Sequence, residues 1–185
     1  MTKVFIAGSI KIKNLDPKFV QRIQNIVSEQ LEVVVGDAKG ADTSIQSELN
    51  KQLARNVTVY CSGGEPRNNV GGWRVKAIHT DAEPGTRAFF TAKDKAMAQD
   101  ADYGLMLWDA ASTGTLSNAL ELIKGGKTCV VFVNKNKSFI NVKEPEDLRD
   151  LVSVMSSGAR NQAERKIGLS RLLSETINPQ FGLPL

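Results

Sequence analysis

Short apolar runs alternate with amphipathic helical stretches along the first two thirds of this chain, and that alternation constrains the fold more than any other feature. Lys3 to Ala7 reads as a first strand. Asp16-Pro17 has the form of an N-cap followed by proline at the first helical position, and Phe19, Ile23, Ile26 and Val27 then mark one apolar helix face. Leu31 to Val35 is a second strand, followed by the loop Gly36 to Gly40 and a helix on which Ile45, Leu49 and Leu53 recur every four residues. Val57 to Cys61, Tyr103 to Leu107 and Val130 to Val133 complete five strands. Helices are predicted over Arg87 to Gln99 and on the face Leu116, Ala119, Leu120 and Ile123, the latter stopped by Gly125-Gly126. Strands separated by helices in this way predict the α/β class with a doubly wound parallel sheet covered on both faces.

Two stretches fall outside the pattern. Residues 62–86 form a Gly-, Pro- and Asn-rich insertion around Trp73, read either as a functional loop or as a surface insertion with its own packing. From Asn134 onward Leu148, Leu151, Val152 and Met155, then Leu169, Leu172 and Leu173, predict helices. The expected organisation is a sheet domain over 1–133 and a helical C-terminal extension over 134–185 that packs on it or mediates self-association into a homo-oligomer.

Composition narrows the function classes. Of 185 residues, 41 % are apolar and 24 % charged, as in a folded globular protein. No apolar run approaches the roughly 20 residues of a bilayer span, so no membrane partner is expected. Met1-Thr2-Lys3 leads directly into Val4 to Ala7, too short for a signal core, which makes the cytoplasm the expected location. Cys61 and Cys129 sit in strand-like apolar runs and read as buried thiols. With the single His79 they are too few for a zinc site of the usual type, so neither a metal nor another cofactor is expected. The net charge of +4 weakly favours anionic partners.

In an open parallel sheet the ligand crevice lies beyond the carboxyl ends of the strands. Three glycine-bearing loops recur at that end: Gly8-Ser9, then Gly36-Asp37-Ala38-Lys39-Gly40-Ala41-Asp42, then Trp108-Asp109-Ala110-Ala111-Ser112-Thr113-Gly114-Thr115. Such loops let backbone N–H groups approach an anion, and a helix N-terminus behind each adds partial positive charge. There is no GxxxxGK[ST] element.

Gly36 to Asp42 resembles the GGAxGAD element of the SLOG superfamily, the Rossmann-like group that includes the SMF/DprA proteins and the LOG nucleotide hydrolases. Asp109 to Thr115 is similar to its second element, a glycine-threonine phosphate loop opening a helix, and Lys93 to Met97 to the basic-x-x-x-Met segment before that loop. The resemblance covers about Lys3 to Val133. It implies a Rossmann-like fold that binds a small nucleotide- or nucleoside-derived ligand, as sensor or carrier, between the Gly36 and Gly114 loops. On that carry-over Ser112, Gly114 and Thr115 hold a phosphate or ribose oxygen, Lys93 adds charge, and Asp42 or Asp109 accepts from sugar hydroxyls.

The chain departs from the pattern where glycosidic chemistry would need a carboxylate. The LOG hydrolases and the similar deoxyribosyltransferases carry a glutamate three residues after the glycine-threonine pair, and Asn118 stands there. An amide orients a ligand but is neither nucleophile nor general base. Lys93 replaces a common arginine and loses its bidentate fork. An N-glycosidic hydrolase or transferase is therefore the alternative, with Asp109 or Asp94 as the candidate carboxylate. Single-stranded nucleic-acid binding is the second alternative, weakened by few aromatics and no basic stripe. Structural readings stand beside these: Asp94 in a Thr91-x-x-Asp94 capping box, Asp42 as an N-cap, and Trp108 as packing rather than a base platform.

Overall fold

In the computed structural model, which describes residues 1–178, the element order begins β1 (Lys3–Gly8), α1 (Pro17–Ser28), β2 (Glu32–Gly36), α2 (Ala41–Lys51), β3 (Val57–Ser62), β4 (Arg74–Ile78), α3 (Arg87–Asp100) and β5 (Tyr103–Trp108). It continues through α4 (Thr113–Lys124), β6 (Thr128–Val133), β7 (Ser138–Val142), a single 3-10 turn at Pro145–Asp147, α5 (Leu148–Ser153), α6 (Ser157–Ile167) and α7 (Leu169–Ile177). The strands form one seven-stranded sheet in the order β4-β3-β2-β1-β5-β6-β7, parallel except for the antiparallel β6–β7 pair. The predicted doubly wound α/β class, Rossmann-like in form, is the observed one.

Alternation along the inner strands divides the core. Val4 and Ile6 of β1, with Val33 and Val35 of β2, meet Phe19 and Ile23 of α1 and Ile45 and Leu49 of α2. Phe5, Val34, Met106 and Val131 face the other layer, where α3 and α4 supply Met97, Leu116 and Leu120. Both faces are thus dry, as parallel sheets require. Asp16 caps α1 by accepting from the Lys18 N–H at 2.9 Å, with Pro17 next, as its sequence predicts.

The structure corrects three expectations. The 62–86 insertion is not wholly loop, because Arg74–Ile78 adds β4 to the sheet in parallel with β3. Segment 134–185 is not wholly helical, because the sheet continues past Val133 into β7. Helix α2 ends at Lys51, and Leu53, at φ 56°, is 81 % exposed instead of extending the Ile45–Leu49 face. Both added strands are sheet edges with few buried residues, and Arg74, Val75 and Lys76 of β4 are all exposed. Residues 179–185 of the extension lie outside the described residues.

The C-terminal helices share a core with the sheet. Leu148, Leu151, Met155, Ala159 and Ala163 are buried in one cluster with Leu120 and Ile123 of α4. Leu151→Ala should therefore lower the stability of the whole chain by about 2–5 kcal/mol. Urea unfolding followed by fluorescence and circular dichroism should show one coincident transition; an early separate transition would mean that the extension unfolds alone.

Candidate functional site

The chain order places β1 at a switch point. From β1 the connections run outward through β2, β3 and β4, and the chain then returns to set β5 on the other side of β1. The loops after β1 and β5 diverge there, which is where doubly wound sheets open a crevice. A cleft of about 280 Å³ occupies this position, lined among others by Gly8, Ile10, Asp42, Arg67, Phe90 and Lys93, and by Asp94, Ser112, Gly114, Thr115 and Asn118.

One wall is the N-terminus of α4. The backbone nitrogens of Thr113, Gly114 and Thr115 have no acceptor among the described residues, since Ser112 at the N-cap makes no side-chain cap and the first helical N–H to reach its carbonyl is that of Leu116, at 3.2 Å. Unpaired first-turn amides carry the positive end of the helix dipole. The loop before them is braced from behind. Asp109 Oδ1 accepts from Ser9 Oγ at 3.1 Å, from the Ala111 N–H at 3.0 Å and from the Ser112 N–H at 2.6 Å. Ser9 Oγ also lies 3.2 Å from Thr115 Oγ1, and Trp108 Nε1 donates to the Ser112 carbonyl at 3.0 Å.

The opposite wall is a charge cluster. Lys93, on α3 and 4 % exposed, donates to Asp94 Oδ1 at 2.7 Å and lies 3.9 Å from Asp37 Oδ1. Arg67, from the insertion, reaches Asp37 through Nε at 3.0 Å, NH2 at 2.7 Å and its backbone N–H at 3.0 Å, and its guanidinium stacks 4.5 Å from the Phe90 ring centroid. Asp42 accepts from the Ala38 N–H at 3.2 Å. Gly36 is required here, because a Cβ would stand 2.4 Å from Asp42 Oδ2 and 2.7 Å from Lys93 Nζ. Gly40 is required too, at φ 82° and with a would-be Cβ 1.9 Å from the Ile10 carbonyl oxygen.

Burial sets the protonation of this wall. It pushes the Asp42 carboxyl up to about 6, against the pull of Lys93 and with the repulsion of Asp94. Burial acts upward on Asp37 as well, but the hydrogen bonds from Arg67 outweigh it and hold that carboxyl below its ordinary value. Burial opposes the charge of Lys93, yet the surrounding carboxylates prevail and raise its pKa.

The predicted residues fall into groups. Gly8, Asp42, Lys93, Asp94, Ser112, Gly114, Thr115 and Asn118 line the cleft together. Ser9, Gly36, Gly40 and Asp109 stand behind it as loop supports. Trp108, 1 % exposed, is packed beneath the β5 loop and offers no face for stacking. Lys39 is exposed and does not line the cleft. Helix α3 starts at Arg87 with Thr86 as its N-cap, so Asp94 is interior to the helix and in no capping box. Asp42 lies in the first turn of α2, whose N-cap is Gly40. Phe90, Ile10 and Asp37 were not among the predicted residues; an apolar ring inside a helical pattern reads as core, and only its position at the cleft separates it.

Asn118 stands apart. It is 7 % exposed, lines the cleft, and its amide has no hydrogen-bond partner among the described residues. Among the described residues only Ser62 Oγ is a side-chain polar atom both sealed from solvent and unpartnered, so the Asn118 amide opens on the cleft, where its donor and acceptor are available to whatever fills it.

No protein-family model matches the chain, nor does any curated protein. Among solved structures it is similar to DNA processing protein A from Helicobacter pylori, described for its single-stranded DNA binding mode, at 18 % identity over 90 % of this chain and 80 % of that one, with a TM-score of 0.57. It is also similar to DNA processing protein A from Streptococcus pneumoniae, at 15 % identity and a TM-score of 0.54. There it covers 89 % of this chain and spans 56 % of the other. At these identities the likeness shows the fold.

Two predictions follow from the charge cluster. Against an unfolded value of 3.8, Asp42's contribution to stability is fully present below about pH 4 and is lost as pH rises through 6. Asp42→Asn should therefore gain stability over the wild type above pH 6, by up to roughly 3 kcal/mol at about 1.36 kcal/mol per pKa unit, in urea titrations from pH 4 to 8. Asp37→Ala should release Arg67, and limited proteolysis should then cut between Ser62 and Thr86 faster than in the wild type.

Proposed function

We propose that the cleft binds one nucleotide unit of a small nucleotide-derived ligand, with its phosphate on the α4 N-terminus and its nucleoside toward Phe90 and the carboxylates. The observation that carries this reading is the unpartnered Asn118 amide beside the unpaired amides of Gly114 and Thr115. Thr115 and Ser112 hydroxyls supply further hydrogen bonds to a phosphate oxygen. Asp42 and Asp94 accept from sugar hydroxyls or from a base edge. The Phe90 ring, with Arg67 against it, gives an apolar face for the base. Lys93 serves to balance the carboxylates rather than to hold the phosphate, because Asp94 and Asp37 already flank its ammonium.

The sensor or carrier role is favoured over glycosidic cleavage. Asp109 is committed to three hydrogen bonds in its own loop, Asp94 is paired with Lys93, and the position of the expected glutamate holds an amide. Single-stranded nucleic acid is the second reading, supported by the single-stranded DNA binding of the Helicobacter pylori protein similar to this fold.

Isothermal titration with nucleoside 5′-monophosphates tests the proposal. Wild-type protein should bind at least one of them, and Asn118→Leu, which keeps the volume and removes the amide, should weaken it roughly tenfold. Undiminished affinity in that variant, or no binding at all, would defeat the reading. Release of free base during the titration would make the protein an enzyme. Tight, steeply salt-dependent binding of single strands with no affinity for monophosphates would favour the nucleic-acid reading.

A further inference from the structure

A second recess of about 250 Å³ opens on the far side of the β5 loop, lined by Ile10, Lys11, Asp109, Ser112, Gln162 and Lys166 among others. Ile10 and Ser112 line both this recess and the cleft. The two hollows are therefore neighbours across one residue of the phosphate loop, and the first turn of α4 borders both, with Thr113 on one side and Gly114 and Thr115 on the other.

The two ends differ in charge. The inner cleft gathers Asp37, Asp42 and Asp94 around Lys93 and Arg67, so that end repels additional phosphate. The outer recess presents Lys11 and Lys166, both exposed and without an anionic partner among the described residues, together with the amide of Gln162. Its one carboxylate, Asp109, has Oδ1 occupied by Ser9 Oγ and two loop N–H groups, which offsets its charge. Helix α6 is held at this position by Arg87, which donates to the Lys166 carbonyl at 3.4 Å, and by the buried Ala159 and Ala163. The polar face of α6 is thereby brought to the phosphate loop by a part of the chain outside the two motif-bearing loops.

We propose that the recess between Lys11 and Lys166 is a second phosphoryl subsite for the same ligand, which therefore carries at least two phosphoryl groups. This rests on the reading of the cleft as a nucleotide site. The first phosphate sits on the amides of Gly114 and Thr115. The second crosses Ser112 to the two lysines, away from the carboxylates. A nucleoside diphosphate and a 5′-phosphorylated dinucleotide share this chemistry.

Titration of a nucleoside 5′-monophosphate, its 5′-diphosphate and the 5′-phosphorylated dinucleotide of the same base tests the subsite. The expected result is at least tenfold tighter binding of one of the two longer probes, with the gain shrinking as salt is raised. Which probe shows the gain tells a pyrophosphate ligand from a strand end. In the double variant Lys11→Gln, Lys166→Gln that probe should fall to the affinity of the monophosphate. Equal affinity for all three, or a gain that survives the double variant, would overturn the subsite while leaving the nucleotide reading of the cleft intact. Failure of every probe to bind would overturn both.

Discussion

A lysine ammonium buried among carboxylates at the end of a parallel sheet is the interaction on which the rest of the site depends. Lys93 comes from α3, Asp37 from the loop after β2, Asp42 from α2, and Arg67 from the insertion. The loop after β2, α3 and the insertion, distant in sequence, are thus fixed to one another by ion pairs, while Asp42 is held beside them by accepting from the Ala38 N–H. Burying such a group is costly, and removing one partner of a buried pair typically costs about 3–5 kcal/mol, so the cluster holds these segments in one arrangement. Gly36 makes the cluster possible by leaving free the volume into which Asp42 Oδ2 and Lys93 Nζ both project.

The opposite wall works by a different principle. There the backbone is held rigid and left unsatisfied: Asp109, Ser9 and Trp108 brace the β5 loop from behind, while the first amides of α4 face the opening. A preorganised set of N–H groups binds an anion without reordering. One wall therefore offers donors to an anion and the other acceptors to hydroxyl and amine groups, and the proposed nucleotide would be oriented by that difference.

Much of the fold was legible in the sequence because the inner strands and the amphipathic helices have strong signals. Phe5 and Ile6 point to opposite faces and are both fully buried, as an inner parallel strand demands. The edge strands escaped notice for the converse reason. Arg74, Val75 and Lys76 in β4 are all exposed, so the stretch carries no buried period. Helix α6 was equally silent, since only Ala159 and Ala163 are buried on it. At the site, glycine and hydroxyl residues marked the three loops, whereas Phe90 looked like ordinary core, and burial decided between packing and platform for Trp108 in favour of packing.

By itself the sequence determined the layered α/β architecture and the three glycine-bearing loops at one end of the sheet, because hydrophobic periodicity and loop glycines are local properties. Only the tertiary structure decided what each polar residue does there. It set Lys93 among three carboxylates at the cleft and engaged Asp109 in three hydrogen bonds within its own loop. It left the Asn118 amide open on the cleft without a protein partner and brought Lys166 beside the loop after β5. Roles of this kind depend on which charges and donors lie within a few ångströms, and those neighbours come from distant parts of the chain.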